Sequence, residues 1–315
     1  MHDGEVERIT RGRILEAAER IRPYVRRTPV MALTEGELGV DAEVVLKLEL
    51  LQHTGSFKPR GAFCRMLAAE VPAAGVTAAS GGNHGLAVAY AAANLGHRAE
   101  IFLPSLSPAF KVAKVRSYGA EAHVVGRHYL EALAACEARA RETGAMAVHA
   151  YNQEETLAGQ GTVGVEIGEQ VPGVDTVLVA TGGGGLIGGI AAWFRGEVKV
   201  VSVEPVGCAS LAAAFEKGER VAVEVGGLAA DSLGAAMVGE LMFPIARKYV
   251  SGAVVVEEEE IREAQRVLWR DFGIVAEPGG ATALAALLSR RYKPAKGERV
   301  VVVVCGGNTE PGTVV

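Results

Sequence analysis

The sequence predicts an α/β protein with two open, twisted, mostly parallel sheets flanked by helices, the smaller unit inserted in the larger. Short apolar runs alternate with helical patterns twice, from about residue 71 to 149 and again after Asn152. The chain has 315 residues, 49% hydrophobic and 22% charged, which is enough to bury a large core in two units. Glycine is abundant at 40 residues and aromatics are sparse at 5%, a composition that suits tightly packed helix-on-sheet layers and backbone-lined sites.

Taken in order, Ile9–Tyr24 has amphipathic helical spacing and must stop before Arg27-Thr28-Pro29. Residues 43–50 read as a strand leading into Ser56-Phe57-Lys58-Pro59-Arg60-Gly61, with helical spacing beyond it. The runs Gly75–Ala79, Ala99–Leu103, Ala122–Val125 and Ala145–His149 predict four strands, with helices near 83–95, 108–118 and 127–143. A second series then predicts a helix over 153–170, a strand over Thr176–Ala180, a helix over 185–195 and a strand over Val198–Val203. Helices near 257–272 and 280–289 and a strand over Arg299–Val304 complete the chain. The expected division is a large unit of residues 1–70 and 150–315 and a small unit of 71–149, with no linker marking the boundary near 149–153.

Several classes are disfavoured. A net charge of −5 without a basic stripe argues against a nucleic-acid partner. No apolar run approaches the length of a membrane span, and the acidic start Met1-His2-Asp3-Gly4-Glu5 is not a secretory signal. Cys64, Cys136, Cys208 and Cys305 are scattered without metal spacing, so a reduced, cytoplasmic protein is expected.

Four stretches carry chemistry. Lys58 sits between a strand and a helix with apolar or turn-forming neighbours, unlike the other eight lysines. The ordinary reading of a lysine is a solvated charge; one desolvated in this way sheds its proton more readily, and the neutral amine can form a Schiff base with an aldehyde. Ser80-Gly81-Gly82-Asn83-His84-Gly85 is a strand-to-helix turn suited to an anion, or simply a tight turn capped by Asn83. His84 reads as structural rather than as a base.

The third stretch, Thr181 to Gly189, places four successive glycines before a helix, a nest of N–H donors that suits phosphate. Close packing explains Gly188 and Gly189 but not the whole run. Gly183, Gly185 and Gly188 with Glu204 also satisfy a dinucleotide-binding spacing, so NAD stands as a rival at this point. The fourth stretch delivers Cys305 from the valine strand 301–304 into Gly306-Gly307-Asn308. Alone it reads as a packed small hydrophobe.

In that order, these motifs resemble the pyridoxal-phosphate (PLP) enzymes of the tryptophan-synthase β fold (fold type II), and within them the threonine/serine dehydratase and serine racemase family. Tyr151-Asn152-Gln153-Glu154, Ala158-Gly159-Gln160-Gly161-Thr162 and Glu277-Pro278 are similar to that family as well. The resemblance runs from about residue 10 to the end and decides against NAD, which would leave Lys58 and Cys305 idle.

The resemblance implies that Lys58 bonds the cofactor and later moves the α-proton. Phe57 would pack beside the ring, Asn83 would bond its 3′-oxygen, and Asn152 would lie at its edge. Gly182, Gly183, Gly184, Gly185 and the Leu186 amide would hold the phosphate. Ser80, Gly81, Gly82, Asn83 and His84 would grip the substrate carboxylate. Cys305 stands where this family usually has serine, facing the pyridine nitrogen. A thiol there cannot protonate the nitrogen, which weakens the electron sink and favours β-elimination.

The implied reaction converts L-threonine or L-serine to 2-oxobutanoate or pyruvate and ammonia. Serine racemase and 3-hydroxyaspartate dehydratase are the same-fold alternatives, and an NAD-dependent oxidoreductase is the alternative of another class. The resemblance also implies a Mg²⁺ or Ca²⁺ site, whose places here are Glu204, Cys208 and Ser210. The missing carboxylate at Ser210 predicts a weak, water-rich or absent site. The racemases' proton-delivering serine corresponds to Gly81, so a dehydratase is expected, with Gly81→Ser raising D-serine formation. A homodimer or homotetramer is implied, and the chain's end at Val315 leads us to expect no appended regulatory domain.

Overall fold

The computed structural model describes residues 8–34 and 36–314, so the acidic start of the chain lies outside the described residues. Helix α1 (Arg11–Ile21) buries Ile14, Ala17 and Ile21 and is capped by Thr10, whose hydroxyl accepts the Arg13 N–H. Strands β1 (Val30–Ala32) and β2 (Ala42–Lys47) follow, then helix α2 (Pro59–Leu67). The next stretch alternates β3 (Val76–Ala79), α3 (Asn83–Leu95), β4 (Ala99–Leu103), α4 (Ala109–Ser117), β5 (Glu121–Val124), α5 (Tyr129–Thr143) and β6 (Met146–Ala147).

Helix α6 (Glu154–Gln170) leads to β7 (Thr176–Ala180), α7 (Gly185–Phe194) and β8 (Lys199–Pro205). Then come α8 (Ser210–Lys217), α9 (Ala230–Leu233), α10 (Met242–Tyr249), β9 (Val250–Val256), α11 (Glu258–Phe272), α12 (Pro278–Leu288) and β10 (Glu298–Val303).

Two sheets result. One has six strands in the order β1-β2-β10-β7-β8-β9, parallel except for β1, and the other has four parallel strands in the order β5-β4-β3-β6. The four-stranded sheet comes wholly from residues 76–147. The last strand, β10, lies between β2 and β7, which makes it a central strand covered on both faces. That position explains the continuous run Val300–Val304, every residue of which is fully buried. Because β2, β10 and β7 are adjacent and parallel, their carboxyl ends open side by side. These are the ends that carry the lysine loop, Cys305 and the tetraglycine turn.

Two strand boundaries shift for identifiable reasons. The strand expected over 43–50 ends at Lys47, and Glu49–Leu51 forms a 3₁₀ turn that places Glu49 under α2. The strand expected over 145–149 is only Met146–Ala147, since the His149 N–H is taken by the Gln153 side chain as the chain turns into α6. Strand β9 escaped the sequence reading because Ser251-Gly252-Ala253 interrupts its apolar pattern, and α10 because Pro244 reads as a breaker, although proline is tolerated in a first helical turn.

Candidate active site

The lysine loop is shaped before the lysine is reached. Thr54 and Gly55 both take left-handed backbone angles, φ 62° and 79°, which is uncommon for a β-branched residue such as Thr54. Ser56 then forms a single bridge to Gly306, tying the loop to the turn after β10. Beneath it, Arg60 is buried and pairs with Glu49 and Glu166, while Lys47 binds Glu166, Gln170 and the Thr28 carbonyl. These interactions fix the first turn of α2.

One cavity brings together Lys58, Phe57, Asn83, Cys305 and the glycines 182–185 with Leu186. The Lys58 amine donates to the Ala150 carbonyl at 3.1 Å and lies 5.1 Å from the Phe57 ring centre. Desolvation lowers its pKa to about 8, against the opposing pull of Cys305 and Glu277. Burial pushes the Cys305 thiol far up, so it stays protonated and donates to the Gly279 carbonyl at 3.4 Å.

The glycine turn leaves no room for side chains. A Cβ on Gly183 would lie 2.3 Å from the Tyr151 ring, and one on Gly184, at φ 85°, would lie 2.3 Å from Met242. Helix α7 starts there without a side-chain cap, so its first N–H groups face the cavity. An anion is what such a turn accommodates. A phosphate-bearing aldehyde therefore fits these residues: a donor-rich cup, a desolvated amine and a neutral thiol share one cavity.

Asn83 is held from both ends of its amide by its neighbours. Its Nδ2 donates to Glu277, and its Oδ1 accepts from Asn308 at 2.7 Å. Glu277, which lines the cavity, was not among the expected site residues, although Glu277-Pro278 belongs to the motifs that carry the resemblance. It sits at the N-cap of α12, but its side chain makes no capping bond. Its Oε2 is buried without a partner, and burial raises its pKa to about 7. Tyr151, Ser232 and Leu233 also line the cavity, and nothing in the sequence singles out Ser232 and Leu233 for it.

Of the other expected residues, Ser80, Gly81, Gly82 and His84 do not line this cavity. Asn152 is not among the lining residues; its Oδ1 accepts the Leu241 N–H at 3.1 Å. The Ser80 hydroxyl accepts the Gly82 N–H at 3.1 Å. His84 pairs through Nε2 with the Val148 carbonyl at 2.8 Å, and burial with the nearby Lys58 holds its pKa down to about 3, so the ring is neutral.

Gly81 brings a correction. The expectation that this place lacks a hydroxyl fails, because a Cβ built on Gly81 would lie 2.1 Å from the Ser107 Oγ. The Ser107 hydroxyl, from a neighbouring loop, lies in the space that a side chain at 81 would take.

Of the expected metal places Glu204, Cys208 and Ser210, the one carboxylate is already engaged by the chain itself. The two Glu204 oxygens accept the Leu211 and Ala212 N–H groups at 2.7 and 2.8 Å, capping α8. Burial raises the pKa of Glu204 to about 7 and of the Cys208 thiol to about 12. The Ser210 hydroxyl donates to the Gly182 carbonyl at 3.3 Å. Among the described residues, the one carboxylate and histidine group close enough to share an ion is Glu100, Glu121 and His123, and Arg139 already engages both Glu100 oxygens. The capping role of Glu204 also removes the acid that the NAD reading needed for a ribose.

The chain is similar to known proteins along nearly its whole length. The chain is 38% identical over 307 residues to an L-threonine ammonia-lyase of Thermotoga maritima, covering 96% of this chain and 76% of that protein. The structure of maize serine racemase superposes with a TM-score of 0.92 at 34% identity, covering 97% of this chain and 95% of that one. The serine racemase of Dictyostelium discoideum gives a TM-score of 0.87 at 32% identity, covering 96% and 99%, and a T.th. threonine deaminase gives 0.89 at 35%, with the same coverage. No described helix is long and apolar enough to cross a membrane. The family model for the pyridoxal-phosphate dependent enzymes matches residues 21–306, and the chain belongs to that family, with the fold type II architecture.

Proposed function

We propose that this enzyme is an ammonia-lyase that eliminates the β-hydroxyl of L-threonine or L-serine, giving 2-oxobutanoate or pyruvate and ammonia. The observation that carries the reading is the single cavity shared by a desolvated Lys58, the glycine turn and a protonated Cys305. When bound, the cofactor supplies the electron sink that acidifies the α-C–H bond.

Lys58 would hold the cofactor aldehyde, Gly182 to Gly185 with the Leu186 amide its phosphate, and Cys305 its ring nitrogen. Phe57 would flank the ring, while Asn83 and Asn152 would bound its edges. With a pKa of about 8, the Lys58 Nζ takes up and returns a proton near neutral pH, which suits it to abstract the α-proton. His84 is unsuited to this role, since burial makes its ring a weak base and its Nε2 is committed to the Val148 carbonyl. The turn Ser80–His84 would receive the substrate carboxylate. Phe57, Leu186 and Leu233 form apolar walls that keep water from the reacting carbon.

The same reading includes the domain division at residues 71 and 149, supported by the origin of the four-stranded sheet. Four free, buried cysteines support a cytoplasmic location. A homodimer or homotetramer rests on family resemblance alone. The proposed metal set, Glu204, Cys208 and Ser210, has little support, because the Glu204 oxygens are both taken.

Serine racemase is the second reading, favoured by the Ser107 hydroxyl beside Gly81. A panel of L- and D-serine, L- and D-threonine and 3-hydroxyaspartate, scored for keto acid and for inverted amino acid, tests both. Turnover of none of the L-hydroxy amino acids would overturn the proposal.

A further inference from the structure

We propose that Ser107 is a substrate-contacting residue whose hydroxyl donates a hydrogen bond to the α-carboxylate of the amino acid held on the Ser80–Asn83 turn; this rests on the reading above. Ser107 lies in the loop after β4, and Gly81 in the turn after β3. These strands are adjacent and parallel, with Ala79 opposite Phe102, so the two loops emerge side by side.

A Cβ on Gly81 would come 2.1 Å from the Ser107 Oγ, 3.1 Å from its Cβ and 3.4 Å from Pro104 Cδ. The Ser107 hydroxyl therefore fills the space of a side chain at 81, and the glycine there has a steric reason. That Oγ is buried and has no partner among the described residues. Leaving a buried hydroxyl unpaired is unfavourable, which points to a partner arriving with the ligand.

The surroundings favour a carboxylate as that partner. The Ser80 hydroxyl accepts the Gly82 N–H, and His84 is turned to Val148, so neither competes with Ser107 at this turn. The turn opens into the 13-residue helix α3, whose positive end favours an anion. A carboxylate only accepts hydrogen bonds, and a hydroxyl donating to it makes one of the stronger kinds.

The test uses the holoenzyme and reads binding as well as turnover. L-alanine has no β-leaving group, so its affinity is measured from the change in cofactor absorbance on titration. Ser107→Ala is expected to weaken L-alanine binding and raise the KM for L-serine, each about tenfold, as for one lost bond to a charged group. Cofactor content and the absorbance without amino acid should not change. Gly81→Ser should lower the melting temperature by crowding Ser107. Adding Ser107→Gly to it should restore both stability and affinity, since a hydroxyl then reaches the same space from the other loop. Unchanged L-alanine affinity in Ser107→Ala overturns the inference. A wild-type holoenzyme that keeps its colour but responds to neither L-alanine nor L-serine overturns the amino-acid reading itself, which separates the two failures.

Discussion

Arg60 grips Glu49 in a two-pronged, buried ion pair, with Nε to Oε2 at 2.8 Å and Nη2 to Oε1 at 2.8 Å, just past the lysine that the cavity is built around. Breaking one side leaves the other charge buried and unpaired. Arg60→Met is therefore expected to cost about 3–5 kcal/mol of stability. Urea unfolding of the apo protein checks this, and a near-zero loss would show that the pair does not brace the loop.

Lys58→Ala should abolish both turnover and the violet absorbance that a lysine-bonded cofactor gives, a colour borohydride should bleach in the wild type. Lys58 is the lysine that lines the cavity with the glycine turn. A variant that stays yellow and active contradicts the whole assignment.

The lowered Lys58 pKa sets a pH dependence for cofactor loading. Below about 8 the amine holds its proton and cannot attack an aldehyde, so the loading rate should rise from acid pH and level off above 8. The same shift makes the apo fold gain stability between pH 8 and 10.5, because the unfolded lysine keeps its proton across that window and the folded one does not. Stopped-flow absorbance after adding cofactor reads the first effect. A rate that keeps climbing past pH 8 toward 10.5 would mean the amine is not desolvated.

Chelation should leave activity intact, because both Glu204 oxygens are satisfied by the first turn of α8. The check is turnover after dialysis against EDTA. Loss of most activity, restored by magnesium, would return a cation to this enzyme.

L-serine should be converted to pyruvate much faster than to D-serine. The argument rests on Cys305, held as a neutral thiol by burial and therefore unable to protonate the cofactor's ring nitrogen. Chiral chromatography of a mixture stopped early decides it, and comparable D-serine and pyruvate would favour the racemase. Gly81→Ser by itself is no longer expected to raise D-serine, since Ser107 already occupies the space that the new side chain would need.

The sequence alone determined the parallel α/β class, the two alternating series and the four motifs at strand ends. Alternation of period and glycine-rich turns are local properties, written wherever a strand meets a helix. It also pointed to Lys58, because a lysine among apolar and turn-forming neighbours is locally conspicuous. Only the tertiary structure decided which loops meet. β10 slots between β2 and β7, strands far from it in the chain, and that placement brings Cys305 between the lysine loop and the glycine turn. Glu204 looked like a ligand and Gly81 like an empty place, and Glu277 was not expected in the site at all. Asn83 reaches Glu277 and Ser107 fills the space beside Gly81 from elsewhere in the chain, while the first turn of a helix that the sequence did not reveal takes both Glu204 oxygens. A side chain's role depends on what desolvates it and what it can reach. Both are set by long-range packing, which no local pattern encodes.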